Sequence, residues 1–150
     1  MKALVLAGGS DARLRPFSSS MPRQLIPVAN RPVLEHVLLA VRDLGVTDVG
    51  IVVEGRVGQI ATVIGDGGRL GLQVSYLRQD GPRGRAHCLT VARDFLGDDD
   101  AVVLFGDNLV PGGLAEIAAG FRRDRPAARL AVQRAARPQR FGAAEVDGAG

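Results

Sequence analysis

Residues 6–16, Leu-Ala-Gly-Gly-Ser-Asp-Ala-Arg-Leu-Arg-Pro, combine a glycine pair with two arginines directly after a short apolar run. Gly8 and Gly9 have no side chains, so their backbone N–H groups can approach a phosphate closely and form a concave anion site. Arg13 and Arg15 add guanidinium groups, which bind phosphate oxygens in pairs. The stretch has the chemistry of a phosphate-binding turn, although a glycine pair taken alone is more often a plain tight turn.

The spacing of these glycines excludes two familiar phosphate loops. A Walker loop requires G-x-x-x-x-G-K-[ST], and a dinucleotide-binding turn requires G-x-G-x-x-G. Residues 6–16 contain neither pattern. The turn therefore supports neither a P-loop ATPase nor a dehydrogenase.

Composition indicates one folded domain. Of the 150 residues, 46% are hydrophobic, which is enough to bury a core. Lys2 is the sole lysine, and the net charge of +3 is not accompanied by a run of stacking aromatics, so solvated arginines explain the charge better than a nucleic-acid patch. A single cysteine, Cys88, allows no intramolecular disulfide. No segment approaches the roughly 20 apolar residues of a membrane span, and we expect a cytoplasmic protein that binds neither nucleic acid nor membrane.

Short apolar runs alternate with helical patterns, which predicts parallel strands joined by crossover helices. Helices are expected at 32–44, with Gly45 suited to its C-terminal cap, and at 57–64, from the end of the loop 78–85 to about 96, and at 111–123. Strands are expected at 2–7, 49–54, 72–77, 101–105 and 130–134, with a further strand beginning within 141–146. The continuous apolar run at 101–105 is typical of a buried central strand.

Three loops follow predicted parallel strands and begin at Gly8, Arg78 and Gly106. In an open parallel sheet, ligands bind beyond the carboxyl ends of the strands. We therefore expect these loops to converge on one cleft.

A longer stretch resembles the signature of the sugar-1-phosphate nucleotidyltransferases, G-G-x-G-T-R-L-x-P-x-T-x-x-x-P-K-x-x-x-P-x-x-x-x-P. The branch most similar is the glucose-1-phosphate thymidylyltransferases of deoxysugar pathways. The segments Gln79-Asp-Gly-Pro-Arg-Gly84-Arg-Ala86 and Phe105-Gly-Asp-Asn108 occupy the family's base-reading and metal-binding places. The signature positions in register are Gly8, Gly9, Arg13, Leu14, Pro16, Pro22, Pro27 and Pro32.

The resemblance implies an α/β fold, a Rossmann-like three-layer sandwich with a mostly parallel central sheet, known as the nucleotide-diphospho-sugar transferase fold. It also implies Mg²⁺-dependent transfer of a thymidylyl or uridylyl group from a nucleoside triphosphate (dTTP or UTP) to a sugar 1-phosphate, glucose 1-phosphate above all, with release of pyrophosphate. Residues 1–150 correspond to the N-terminal nucleotide-binding part of the family's catalytic domain, so we expect a fold truncated on its C-terminal side. The family's Glu-Lys-Pro sugar loop and second metal-binding aspartate lie downstream. An uncovered sheet edge would favour association, such as a homo-oligomer.

Individual roles are implied by position in the signature. Catalytic roles fall on Arg13, Arg23 and Asp107, and Asp107 also falls where the family holds Mg²⁺, which takes one or two carboxylates plus phosphate oxygens. Without the resemblance, Asp107 is equally typical of an Asx turn after a strand. Gly142 falls where the family contacts the sugar hydroxyls. The nucleotide-binding positions are Leu6, Gly8, Gly9, Arg13, Gln79 and Gly84.

Three signature positions are altered in the active loop: Asp11 replaces a glycine, Ala12 a threonine and Arg23 a lysine. An Asp11 carboxylate about 4 Å from a phosphate oxygen would cost roughly 4 kcal/mol at an effective dielectric of about 20. Arg23 keeps the charge but presents a wide planar fork in place of a compact ammonium. Two hypotheses stay open: an active nucleotidyltransferase, or a non-catalytic nucleotide-binding module or truncated relic that associates with a full-length homologue.

The other groups with chemical potential have simpler interpretations. His36 and His87 lie on predicted helices without a second ligand at metal spacing, which favours solvated or core histidines. Cys88 has no credible role as a nucleophile. The acidic run at 98–100 is typical of a solvated turn before a strand.

Overall fold

The computed structural model describes residues 1–8, 20–55, 57–81, 83–134, 136 and 144. The chain divides into two compact units, Met1–Leu114 and Ala115–Gly150. The strands are β1 (Lys2–Leu6), β2 (Pro27–Val28), β3 (Arg31–Pro32), β4 (Asp48–Val53), β5 (Gln73–Arg78) and β6 (Ala101–Phe105). The helices are α1 (Val33–Asp43), α2 (Val57–Ile64), α3 (Arg85–Val91), α4 (Arg93–Leu96) and α5 (Ala115–Asp124), and short 3-10 turns cover Arg23–Leu25 and Gly68–Leu70.

The central sheet of the first unit has the strand order β5-β4-β1-β6, and all of its pairings are parallel. β1 lies in the interior between β4 and β6. Its last residue, Leu6, stands opposite Val52 of β4 and Phe105 of β6. The carboxyl ends of these strands therefore meet at the same edge of the sheet.

Helices cover both faces of the sheet because alternate strand residues point to opposite sides. Val5 and Ile51 belong to a buried cluster that includes Leu34 and Leu38 of α1 and Ile60 of α2. The opposite face has a smaller cluster, in which the strand residues Leu4, Leu6 and Val52 pack with Cys88 of α3 and with Ala92, which lies between α3 and α4. The predicted α/β sandwich with a mostly parallel sheet is confirmed.

Helix α1 has the predicted extent to within one residue at each end. Pro32 precedes it, and Gly45 follows with a φ of +77° while donating its N–H to the carbonyl of Arg42. That left-handed conformation favours glycine and ends the helix. In the part of the chain that the structure describes, no helix is long and apolar enough to cross a membrane.

Helix boundaries depart from prediction where the backbone interrupts an apolar pattern. The single helix expected up to about residue 96 is two helices, since Ala92 has a φ of −87° and a ψ of 0° between α3 and α4. The helix expected from residue 111 begins at Ala115, because Gly112 and Gly113 both have positive φ. The spacing of apolar residues does not reveal such local changes of backbone conformation, so the predicted boundaries differ from the observed ones.

One strand prediction is wrong, and another is confirmed as a strand but not as a buried central one. Residues 130–134 form no strand, and Leu130 and Val132 are exposed, because an apolar alternation makes a strand only where a partner pairs with it. The run 101–105 is a strand, but among the described residues it pairs with β1 alone, and Val103 is 46% exposed, so β6 is an edge rather than a buried centre. The strand expected within 141–146 lies outside the described residues, apart from Ala144.

A two-pronged ion pair links helix α1 to the 3-10 turn at Gly68–Leu70. Arg69 donates from Nη1 to Oε1 of Glu35 at 3.0 Å and from Nη2 to Oε2 at 2.9 Å. Glu35 is buried, whereas the Arg69 side chain is half exposed. Hydrogen bonds from Arg69 hold the pKa of the Glu35 carboxyl below its usual range, against the opposing effect of burial.

Replacing this carboxylate should weaken the fold in a pH-dependent way. Glu35→Gln is expected to lower the free energy of unfolding at pH 7 by about 1–2 kcal/mol. Because the folded-state pKa is lowered, the pair stabilises the protein above about pH 4.3 and the contribution is lost as the pH falls through the folded-state pKa. The melting temperatures of wild type and Glu35→Gln should therefore differ at pH 7 and approach each other as the pH is lowered to 3. Thermal unfolding of both proteins over this pH range measures the change.

Asp43→Asn is the matched control, because Asp43 forms an exposed pair with its neighbour Arg42. Its effect on the melting temperature should be small at every pH. A difference between wild type and Glu35→Gln that stays constant down to pH 3 would contradict the assignment.

Candidate active site

The carboxyl edge of the sheet brings together segments that are far apart in the chain. The amide of Ala7 donates to the carbonyl of Val52 at 2.8 Å, and the amide of Gly106 donates to the carbonyl of Leu6 at 2.9 Å. The amide of Gln79 donates to the carbonyl of Val53 at 2.9 Å. These ladder bonds place the residues that follow β1, β4, β5 and β6 along one edge. The sequence predicts this for the segments after β1, β5 and β6.

An ion pair joins two of the predicted site residues. Nε of Arg23 lies 3.0 Å from Oδ2 of Asp107, and both side chains are mostly buried. Nε itself makes no hydrogen bond, so its contact with Oδ2 is an ion pair. Arg23 comes from the 3-10 turn after Pro22, and Asp107 follows β6. Arg23, which replaces the lysine of the signature, is thus in direct contact with Asp107, the candidate metal ligand.

Gln24 is a site neighbour that sequence reasoning missed. It is 1% exposed, and its Nε2 has no hydrogen-bond partner among the described residues. A Cβ added to Gly106 would lie 3.4 Å from Cγ of Gln24 and 3.2 Å from Cδ1 of Leu34. Gln24 therefore packs over the backbone just before Asp107. A polar residue between Arg23 and apolar neighbours was the only signal of this in the sequence.

Glu54 adds a negative group beside the glycine turn. A Cβ added to Gly8 would lie 3.5 Å from Cβ of Glu54 and 3.7 Å from its Oε2. Glu54 follows β4, the neighbour of β1, so parallel pairing accounts for the approach. Sequence reasoning did not identify this residue, because it follows a strand without any motif.

The predicted base-reading residues form a small hydrogen-bonded group after β5. Gln79 is 5% exposed, and its Nε2 lies 3.5 Å from the carbonyl oxygen of Gly84. The Cys88 thiol, on α3, donates to Oε1 of Gln79 at 3.0 Å. Burial raises the pKa of the Cys88 thiol, with a smaller contribution from the charge of Glu54. The thiol is therefore protonated at neutral pH and available as a donor.

Arg85 links this group to β6. Its guanidinium lies 4.9 Å from the centre of the Phe105 ring, within the range of a cation–π interaction. Arg85 is the first residue of α3, directly after Gly84, and Phe105 is the last residue of β6. The segment after β5 and the segment that carries Asp107 are thus held together by side chains as well as by the sheet.

A pocket of about 340 Å³ lies beside this edge, and its lining is mainly apolar. It is formed by α1 and the segment after β6, including Val37, Leu104 and Leu109. Nε2 of His36, in its wall, lies 2.8 Å from the carbonyl oxygen of Val28. None of the described residues that line the pocket is an arginine or lysine, so they do not supply the positive charge that a triphosphate requires.

The donor set suits a cation that is shared with a ligand rather than held by protein alone. Among the described residues no group of three or more His, Cys, Asp or Glu side chains could hold a metal ion. Asp107 offers one carboxylate at the sheet edge. One carboxylate completed by phosphate oxygens is a common environment for Mg²⁺, so the residues present fit a metal that arrives with a nucleotide.

Several predicted site residues lie outside the described part of the chain. They include Gly9 and Arg13 of the glycine turn, the altered positions Asp11 and Ala12, and Gly142. Of the described ones, Arg23 and Asp107 are in contact, as are Gln79 and Gly84. Leu6 is the last residue of β1, and Gly8 follows two residues later. The structure thus places every described candidate at one sheet edge.

Gly84 should be intolerant of a side chain for conformational reasons. Its φ of +84° and ψ of 175° lie in a region that is nearly exclusive to glycine, although nothing stands within 4 Å of an added Cβ. Gly84→Ala is expected to cost about 1–3 kcal/mol of stability, measured by denaturant unfolding. Gly58→Ala, on α2 with equally open space, should leave stability unchanged or slightly raised. Equal effects of the two substitutions would contradict this account.

Comparison with known proteins agrees with this geometry. The family model described as nucleotidyl transferase matches residues 2–150. A glucose-1-phosphate thymidylyltransferase from Streptomyces griseus is 49% identical over 150 residues, which are 100% of this chain and 42% of that protein. Another, from Streptomyces antibioticus, is 45% identical over 148 residues, or 98% of this chain and 42% of that protein. The chain thus spans less than half the length of these curated relatives.

Solved structures give the same result. A Bacillus anthracis protein described as a glucose-1-phosphate thymidylyltransferase, crystallised in complex with a sucrose, matches with a TM-score of 0.79 and 29% identity. The match covers 83% of this chain and 51% of that one. With the sheet-edge geometry and the match along residues 2–150, the chain belongs to the nucleotidyl transferase family.

Proposed function

We propose that this chain forms the nucleotide-binding part of a site that transfers a thymidylyl or uridylyl group from dTTP or UTP to glucose 1-phosphate. The observation that carries the proposal is the contact between Arg23 and Asp107, 3.0 Å apart at the sheet edge where the glycine turn begins. A cation and a carboxylate side by side suit a ligand that brings phosphates and a metal together. Family membership and the glucose-1-phosphate thymidylyltransferases among the relatives support this substrate class.

The reaction proposed is an in-line displacement at phosphorus. An oxygen of the sugar phosphate attacks the α-phosphorus of the nucleoside triphosphate, and the bond to pyrophosphate breaks. Such a reaction depends on positioning and charge neutralisation rather than on covalent help from the protein. The edge of the sheet supplies positioning through residues that are fixed by parallel strand pairing.

The candidate residues that the structure describes would each contact a different part of the substrates or the metal. Gly8 begins the turn whose backbone would face the phosphates, and Arg23 would neutralise phosphate charge. Gln79 and Gly84 would contact the base, and Asp107 would hold Mg²⁺. When bound, the metal would supply neutralisation of the charge on the phosphates during transfer. Glu54 works in the opposite direction, because its carboxylate repels a phosphate close to Gly8.

A second function, a nucleotide-binding module without turnover, is favoured by the same ion pair. Arg23 neutralises the carboxylate that would otherwise attract a metal ion. At 3.0 Å and an effective dielectric near 20, the attraction is about 5.5 kcal/mol before desolvation is subtracted. Metal binding therefore competes with the pair. Nucleotide binding and catalysis are separable properties of this site.

Pyrophosphate release distinguishes the two functions. The chain is incubated with dTTP, glucose 1-phosphate and Mg²⁺, and the active form releases pyrophosphate only when both substrates are present. Asp107→Asn should lower that rate by about 10²-fold or more, because it removes the proposed metal ligand. Asp43→Asn, an exposed carboxylate on α1, should leave the rate unchanged.

Calorimetric titration with dTTP completes the test. Binding without pyrophosphate release identifies the module. A chain that neither binds dTTP nor releases pyrophosphate contradicts both functions.

A further inference from the structure

The Cys88 thiol contacts the one predicted base-reading side chain that the structure describes. Its Sγ lies 3.0 Å from Oε1 of Gln79 and 3.7 Å from the carbonyl oxygen of Gly84. Both side chains are nearly inaccessible to solvent, with Cys88 7% and Gln79 5% exposed. The shorter of the two contacts is the one to the amide oxygen, and a buried amide with a hydrogen-bond donor at one end is held more firmly than one that faces water.

The surrounding groups determine which way the Gln79 amide points. The Gly84 carbonyl can only accept a hydrogen bond, so the amide end that faces it at 3.5 Å must be the NH₂ group. The oxygen end then faces the thiol, which donates to it. The reversed amide would set its oxygen against the Gly84 carbonyl and leave only a weak sulfur acceptor for its NH₂ group.

Helix α3 keeps the thiol in place. Cys88 packs in the apolar cluster with Leu6 of β1 and Val52 of β4, so its position is set by the sheet that also carries the site. Burial raises the pKa of the thiol, which therefore keeps its proton at neutral pH. A thiolate at this position could only accept, and it would repel the amide oxygen.

We propose that Cys88 is a positioning residue, whose thiol fixes the Gln79 amide in the orientation that suits a thymine or uracil base and opposes a cytosine base. The proposal rests on the proposed function, in which Gln79 contacts the base. It assigns no chemistry to the sulfur itself, since neither oxidation nor nucleophilic attack is involved.

The chemistry of the bases explains why a fixed amide discriminates. Thymine and uracil present a donor at N3 beside a carbonyl acceptor at position 4, whereas cytosine presents an acceptor at N3 beside an amino donor. An amide oriented for the first pattern must turn over to match the second. When one orientation is held by the thiol and the Gly84 carbonyl, the other pattern leaves polar groups unpaired.

Nucleotide affinities of Cys88 variants test the proposal. Calorimetric titrations compare dTTP with dCTP for wild type, Cys88→Ala and Cys88→Ser. The preference of the wild-type chain for dTTP is expected to fall by about three- to tenfold in Cys88→Ala, because the amide becomes free to turn. Cys88→Ser retains a donor in the same place and should keep the preference within about twofold.

A ligand-free measurement accompanies the titrations. In ¹⁵N–¹H correlation spectra, the Gln79 side-chain NH₂ signals, identified by their loss in Gln79→Leu, should move in Cys88→Ala and remain close to wild type in Cys88→Ser. Melting temperatures verify that each variant is folded. A purely structural cysteine would change melting temperature without changing the ratio of dTTP to dCTP affinity.

The outcomes separate this inference from the function on which it rests. An unchanged ratio in folded Cys88→Ala, or unchanged Gln79 signals, overturns the role of Cys88 while dTTP binding still supports the proposed function. A wild-type chain that binds neither nucleotide overturns the proposed function and the base-reading role together. A reduced ratio in Cys88→Ala that Cys88→Ser restores supports the inference.

Discussion

Parallel pairing of β1 with both of its neighbours is the constraint on which the site depends. Leu6 stands opposite Val52 on one side and Phe105 on the other, and the ladder continues into the first residues of the following loops. Those loops must then begin within a few ångströms of one another. A shift by one residue in any of these strands would turn the strand's side chains to the other face and misplace its loop.

Among the described residues at this edge, positive and negative groups lie close to one another. Arg23 is held against Asp107, and Glu54 approaches the start of the glycine turn. A ligand that carries several phosphates and a divalent cation can satisfy both signs at once, whereas a simple anion would meet repulsion from the two carboxylates. In the proposed function, this arrangement would suit a metal–triphosphate complex better than free phosphate.

The fold could be predicted from the sequence because a parallel α/β sheet depends largely on local signals. The glycine turn after β1, the amphipathic pattern of α1 with Gly45 at its end, and the apolar runs of the strands predict a parallel α/β sheet and a cleft at its carboxyl edge. The signature resemblance added roles by position. All of these roles stay predictions, and Arg13 and Gly142 also lie outside the described part of the chain.

Contacts between distant residues could not be predicted in this way. The approach of Glu54 to Gly8, the burial of Gln24 and the bond from Cys88 to Gln79 arise from register and helix packing, which no motif encodes. The prediction of a strand at 130–134 was wrong for a related reason. Alternating apolar residues indicate that a segment could form a strand with one buried face, but the strand forms only where a neighbouring strand pairs with it.

The central claim is that one edge of the sheet binds the nucleotide, and backbone amide mapping tests it most directly. Increasing dTTP with Mg²⁺ is added to the ¹⁵N-labelled chain, and amide shifts are followed at both ends of the strands. The account predicts shifts at Gly8, Gln79, Gly84 and Asp107, with little change at the opposite strand ends Lys2, Asp48 and Ala101. Shifts concentrated at those opposite ends, or none at saturating dTTP, would contradict it.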